Sequence, residues 1–225
     1  MRFGLVLLVI GIVLACLGFG NLYLSMQCSS EPVPHELSKL EAGEEVSNPH
    51  VAINEHLALY GDLVYYCTLP SGRDEDDVRP TDKIDYSYYG IISPEHPFVV
   101  QMNELMAAGP DLNIMGEAEL PTVSNCAVLV KTKRFKTIGD LMQLDIISQE
   151  ETLTGVVIGN ANSLKKDERE LILQSFPNID MENTIVIEDG RCPTIAKDLG
   201  MAFGGVALAF VGLGILGIGF FRSKE

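Results

Sequence analysis

Residues Met201–Phe221 read MAFGGVALAFVGLGILGIGFF, twenty-one positions without a charge. At about 1.5 Å of rise per residue such a helix reaches roughly 31 Å, which matches a bilayer hydrocarbon core of roughly 30 Å. Residues 200–221 are therefore predicted to span a membrane. Arg222 and Lys224 follow directly, and the positive-inside tendency places that end in the cytoplasm.

Met1–Met26 carries a second apolar segment, uncharged from Phe3 to Gly20 and continued by Leu22, Tyr23, Leu24 and Met26. One reading is a cleaved leader, and the stretch VLAC at Val13–Cys16 faintly resembles a lipoprotein cleavage site. A signal peptide, however, has an apolar region of only about 7 to 15 residues. The greater length favours an uncleaved helix over residues 3–26 with Arg2 inside. Both termini are then cytoplasmic, and the middle lies outside the cell (inner) membrane.

The charge is distributed unevenly. The chain has 31 acidic and 16 basic residues, a net −15, and only Arg2, Arg222, Lys224 and Glu225 lie outside Gln27–Gly200. The middle thus holds thirty acids against thirteen bases, a net −17. A surface of that sign repels phosphate backbones, so nucleic acid is not an expected partner.

Residues 27–48 turn to Ser, Pro and Glu and read as a tether with a short helix near His35–Glu41. Residues 49–192 read as an extracytoplasmic domain. His56–Cys67 alternates with a β period, with Gly61 marking a bulge or bend. Ser71–Thr81 is a charged turn that lacks the ligand spacing of a calcium loop. Asp85–Ile92, Cys126–Thr132, Leu153–Ile158 and Asn183–Glu188 read as strands. A helix starts at Pro97 with Phe98, Met102, Leu105 and Met106 on a core-facing side, and stops at Gly109 and Pro110. Asp111–Asn125 reads as loop. Thr137–Gln143 is a short helix, and Asn162–Phe176 a longer one capped by Ser163. Strands and helices intersperse without βαβ regularity, so the fold class is α+β: a largely antiparallel sheet or open barrel with packed helices, between two transmembrane helices.

No catalytic constellation is visible. His35, His50, His56 and His96 form no HExxH pattern, and no CxxC or glycine-rich phosphate loop occurs. His50 and His56 would share a face only in a wholly extended segment. Ser71, Ser93, Ser124 and Ser163 sit where turns and caps need them. No catalytic residue, metal ligand or cofactor site is assigned. The patch KTKRFK at Lys131–Lys136 could meet an acidic partner, but pairing with carboxylates of its own domain is the simpler expectation.

Four segments carry a resemblance: PHVAINEHLALYGDLVYY (49–66), YYGIISPEHP (88–97), LVKTKRFKTIGDL (129–141), and the exit from FPNID (176–180) to EDGRCP (188–193). With the two terminal spans they resemble a group of two-span bacterial membrane proteins to which no activity is attached. The span, domain, span plan is also similar to that of the Surfeit-type oxidase assembly factors. That likeness is architectural, since their Asn-Arg-Gly-Trp type motif is missing from a chain without Trp.

Two functions follow for weighing. The first is a membrane-tethered extracytoplasmic interaction or assembly module without catalysis, its partner another envelope or membrane protein. The alternative is an envelope hydrolase or transferase whose site residues are spread through the sequence. Cys28, Cys67, Cys126 and Cys192 fall in the part predicted to be extracytoplasmic, where disulfides form, and are expected to pair as Cys28 with Cys192 and Cys67 with Cys126. Small residues recur along one stripe of each apolar segment: Gly4, Gly11, Ala15 and Gly18 in the first, Gly205, Ala209, Gly212 and Gly219 in the second. Because lipid gives helices no hydrophobic reason to associate, close approach across such stripes favours an antiparallel hairpin.

Overall fold

The computed structural model describes residues 2–69, 72–73, 77–108, 121, 123 and 126–222, and side chains as far as 217. The loop expected at Asp111–Asn125, Ser124 included, lies almost wholly outside the described residues, as do Ser71 and part of the charged turn. Two compact units are present, one formed by Met1–Ser30 with Cys192–Glu225, the other by Glu31–Arg191.

The first unit is a pair of apolar helices, α1 (Arg2–Gln27) and α6 (Ile195–Arg222), each long and apolar enough to cross a membrane. Their contact is made by glycine. A Cβ built on Gly11 would lie 2.4 Å from the Ala209 amide nitrogen and 2.7 Å from the Gly205 carbonyl oxygen. One on Gly205 would meet the Ala15 nitrogen at 2.3 Å, one on Gly212 the Leu8 nitrogen at 2.5 Å, and one on Gly18 the Ala202 nitrogen at 2.4 Å. These are backbone atoms, so only residues without a side chain allow such an approach. Gly4 faces the Gly212 carbonyl and Ile215. Gly219 lies beyond the residues whose surroundings are described. At the other end the Ser25 hydroxyl donates to the Asp198 carboxylate at 2.6 Å, with both residues buried. α6 therefore begins before the uncharged run and takes Lys197 and Asp198 into its first turn.

The second unit is a curled eight-stranded sheet in the order β1-β2-β7-β8-β5-β4-β3-β6. Its strands are β1 (Val33–His35), β2 (His50–Ile53), β3 (His56–Cys67), β4 (Ile84–Ile92), β5 (Val128–Thr132), β6 (Ile147–Glu150), β7 (Leu153–Asn160) and β8 (Ile185–Asp189). β1 with β2 and β5 with β8 run parallel, and the remaining pairs antiparallel. The last strand, β8, thus lies in the middle of the sheet. The short helices are α2 (Leu37–Glu41), α3 (Pro97–Ala107), α4 (Ile138–Leu141) and α5 (Lys166–Ser175).

The core lies on both faces, as period-2 alternation requires. Tyr89, Ile91, Val128, Val130 and Ile187 face one cluster with Val51, Ile53 and Phe135. Tyr88, Leu129 and Val186 face the other, covered by Ile172 and Phe176. Four expectations are corrected here. Leu37 and Leu40 of α2 are buried in the first cluster, so much of residues 27–48 is part of the domain and not a spacer. The bulge expected at Gly61 is present, but the faces of β3 do not alternate through it: the register with β4 shifts between Leu59 and Val64, around exposed Gly61 and Asp62. Leu59 and Val64 share a face as a result. α3 buries none of its residues, and Met106 is 53% exposed, so its methionine side is not core. Ser163 closes a short 3-10 turn with Asn160 instead of capping α5, and the amide of Lys165, the residue before α5, donates to Glu168.

Candidate functional site

Polar chemistry on the sheet gathers in two networks. In the first turn of α5 the Glu168 carboxylate is turned inward onto β4 and β5. Its Oε1 accepts from the Tyr86 hydroxyl at 2.8 Å, the Tyr88 hydroxyl at 3.1 Å and Lys131 Nζ at 3.4 Å. Its Oε2 accepts the Lys165 amide at 3.1 Å. Lys131 Nζ also sits 4.1 Å from the centre of the Tyr86 ring, which is stacked on Tyr66. Burial works against the Glu168 charge, but the Tyr86, Lys165 and Lys131 contacts outweigh it and hold the carboxyl below its ordinary range. Burial, reinforced by the neighbouring carboxylates, pushes the Tyr66 phenol up to about 12. It drives Tyr86 and Tyr88 higher still.

The second network is at the rim of the other face. Tyr60 donates to Glu150 at 2.9 Å, and Arg134 pairs with the same carboxylate at 3.3 Å while also donating to the Tyr60 oxygen. The Arg134 guanidinium stacks over Phe135, 4.9 Å from the ring centre. Burial and the Glu150 contact raise the Tyr60 phenol to about 12. The patch at Lys131–Lys136 is thus largely spent inside the domain, Lys131 on Glu168 and Arg134 on Glu150.

Neither network sets a serine, threonine or cysteine beside a base. Elsewhere in the domain the Ser93 hydroxyl donates to Glu41 at 2.5 Å while the same carboxylate takes the Ser93 amide. This ties α2 to the end of β4. His96 Nδ1 accepts the Phe98 amide as the cap of α3. His56 is buried, with Nδ1 on the Asn54 carbonyl at 2.9 Å, and burial lowers its pKa. Among the described residues no three His, Cys, Asp or Glu are grouped to hold a metal ion.

The expected bridge between Cys67 and Cys126 is not made. Cys67 pairs with Ile84 at one end of β4, whereas Cys126 lies against Ile91 at the other. Seven residues of strand, roughly 23 Å, separate the two positions, far beyond the roughly 7 Å that a disulfide tolerates between Cα atoms. Cys28 and Cys192 lie just outside the helix ends, at Gln27 and Ile195.

What the networks leave open, among the described residues, is the edge of the sheet at β6, where Pro121 and Val123 also line the neighbouring cleft. The opposite edge, β1, has three residues and a central Pro34, which blunts it against further pairing. β6 has no proline. Tyr60 and Ile146 form a hydrogen-bonded position, with Tyr60 N donating to Ile146 O at 2.8 Å. In the antiparallel register the next such positions are Ala58 with Ser148 and His56 with Glu150. The amides and carbonyls of Ile147 and Gln149 therefore point away from β3.

Each end of this edge adjoins a cavity. A cleft of about 480 Å³ near Ile147 is lined by Leu59, Asp62, Phe98, Phe176 and Pro177 among others. One of about 490 Å³ is lined by Glu55, Gln149, Glu150 and Glu151. Ile146 is 74% exposed and Met142 70%. The sequence reading missed β6, because a four-residue strand flanked by acids gives almost no periodic signal. No family model, curated protein or solved structure matches the chain.

Proposed function

We propose that this is a two-span membrane protein whose intervening domain is a binding module and not an enzyme. The single observation that carries the binding reading is the β6 edge, unpaired among the described residues and flanked by a cleft of mixed lining that includes Leu59, Phe98 and Phe176 and by an acidic one. The non-catalytic part is supported by the Glu168 and Glu150 carboxylates, each already engaged by tyrosine and cation partners, while the buried Tyr66 hydroxyl beside the Glu168 network has no hydrogen-bond partner among the described residues.

The membrane part is supported by what the helix pair leaves outside. Its seam is glycine and alanine, while Phe3, Phe203 and Phe210 are 67%, 59% and 69% exposed, a surface that only a lipid or protein covering would suit. With both helices inserted, connectivity puts the domain on the side opposite both termini, and Arg222 with Lys224 favours the cytoplasm for the latter. The likeness to two-span bacterial membrane proteins agrees with this plan and adds no activity.

Photo-crosslinking from an amino acid placed at Gln149, in native membranes, tests the reading. A discrete adduct with one envelope protein is expected, and a probe at Glu182 on another part of the domain should not give it. Recovery of the same smear of abundant proteins from both positions would remove the binding-module reading.

A further inference from the structure

We infer that the β6 edge receives, as an added ninth strand, an extended protein segment bearing a large apolar side chain with a lysine or arginine two residues away. The inference deepens the binding-module reading and rests on it. Backbone pairing needs outward amides and carbonyls, and Ile147 and Gln149 supply two of each. Side chains of an added strand alternate between faces, so those opposite Ile147 and Gln149 lie on one face, two residues apart. The first is directed to the cleft with Leu59, Phe98 and Phe176. The second comes to the carboxylates of Glu151 and of Glu55, which accepts a hydrogen bond from Gln149 Nε2; both are exposed and neither is in an ion pair with this chain's described residues.

Charge selects the occupant. A second copy of this chain would bring the same Glu55, Glu150 and Glu151 and a net −17 against an identical edge, with like charges opposed across the new pair. A basic segment gains where a second copy loses. It also lets the domain distinguish its partner by on-rate, since an acidic surface steers cationic chains toward it.

The test uses the full chain in phosphatidylcholine nanodiscs and the fluorescent peptide acetyl-Thr-Arg-Thr-Leu-Thr-Lys-Thr-amide, whose basic residues flank leucine at i±2 so that either strand direction is satisfied. Anisotropy should saturate below about 1 mM, and added salt should weaken binding. Gln149→Pro removes an outward N–H while leaving the β3 ladder whole, and should weaken binding about fivefold, the worth of one hydrogen bond. Glu55→Lys with Glu151→Lys should weaken it about tenfold and let a peptide with Glu at both basic positions bind instead. Unchanged melting of both variants shows that the fold is kept.

The inference is overturned by no saturation at about 1 mM, by equal binding of the acidic peptide to the parent chain, or by indifference to Gln149→Pro. It is equally overturned if the chain dimerises through this edge without binding peptide, or if peptide binds only after residues 109–120 are deleted, which would make the chain's own segment the occupant. If the photo-crosslink at Gln149 finds a partner with an acidic contact segment, the binding-module reading stands while this inference falls.

Discussion

Replacing Gly11 by alanine probes the helix pair with the smallest possible change. The new Cβ would lie 2.4 Å from the Ala209 nitrogen and 2.7 Å from the Gly205 carbonyl oxygen, where ordinary contact requires about 3.4 Å, so the helices must separate locally by about 1 Å. A gap of 0.5–1 Å forfeits a quarter to a half of each contact, individually worth about 0.1–0.2 kcal/mol. Over roughly twenty seam contacts the loss is about 1 kcal/mol. The same separation also relieves Gly205→Ala, whose Cβ meets Ala15 at 2.3 Å, so the double variant should cost little more than either single one. Gly204→Ala and Gly214→Ala, which meet nothing within 4 Å, should be neutral or slightly stabilising through helix propensity. The assay is disulfide trapping between Phe19→Cys and Phe203→Cys, whose rings lie 6.2 Å apart, in a background without native cysteines, together with SDS titration of the detergent-solubilised chain. Equal loss from Gly11→Ala and Gly204→Ala, or strict additivity of Gly11→Ala with Gly205→Ala, would refute the reasoning.

Glu168→Leu strands the Tyr86 and Tyr88 hydroxyls and the Lys131 ammonium, and should cost about 2–4 kcal/mol in urea unfolding, whereas Tyr86→Phe removes one hydrogen bond and costs about 1 kcal/mol. Because the Glu168 carboxyl is held below its ordinary range, its contribution is present above the unfolded glutamate pKa and is lost as pH falls through the depressed folded value. The His56 pKa is lowered from 6.5 by burial, so the unfolded chain takes up this proton first. The urea midpoint should fall once pH drops below about 6.5, and His56→Gln should flatten that part of the profile. Burial pushes the Cys126 thiol up to about 12, so maleimide should label Cys126 only after unfolding.

The apolar helices, the long strands and the α+β class were legible because each is a long periodic or unbroken pattern. β3 and β4 carry aromatic and β-branched runs, and β5 is buried on both faces. The misses share a different cause. α2 looked like part of a tether because Leu37 and Leu40 are only two apolar residues among Ser, Pro and Glu, and only the sheet that covers them makes them core. The methionines of α3 have a helical spacing that says nothing about whether a core is there to receive them. The polar networks were invisible for the same reason: Glu168 meets Tyr86 and Tyr88 across 82 and 80 positions of sequence. The pairing of Cys67 with Cys126 failed because counting strands does not tell at which end of a strand each thiol lies.

The placement of β8 has a consequence for synthesis. Until Ile185–Asp189 is made, the sheet exists as two parts, β1-β2-β7 and β5-β4-β3-β6, each ending in an unpaired apolar edge at β7 or β5. Open edges of that kind pair with whatever is nearby. Only residues 190–194 separate the closing strand from α6, so the ribosome delivers the piece that completes the sheet and the second apolar helix almost together. Folding of the domain and emergence of that helix therefore fall in the same few seconds of translation. A delay in one leaves the raw edges of the other exposed.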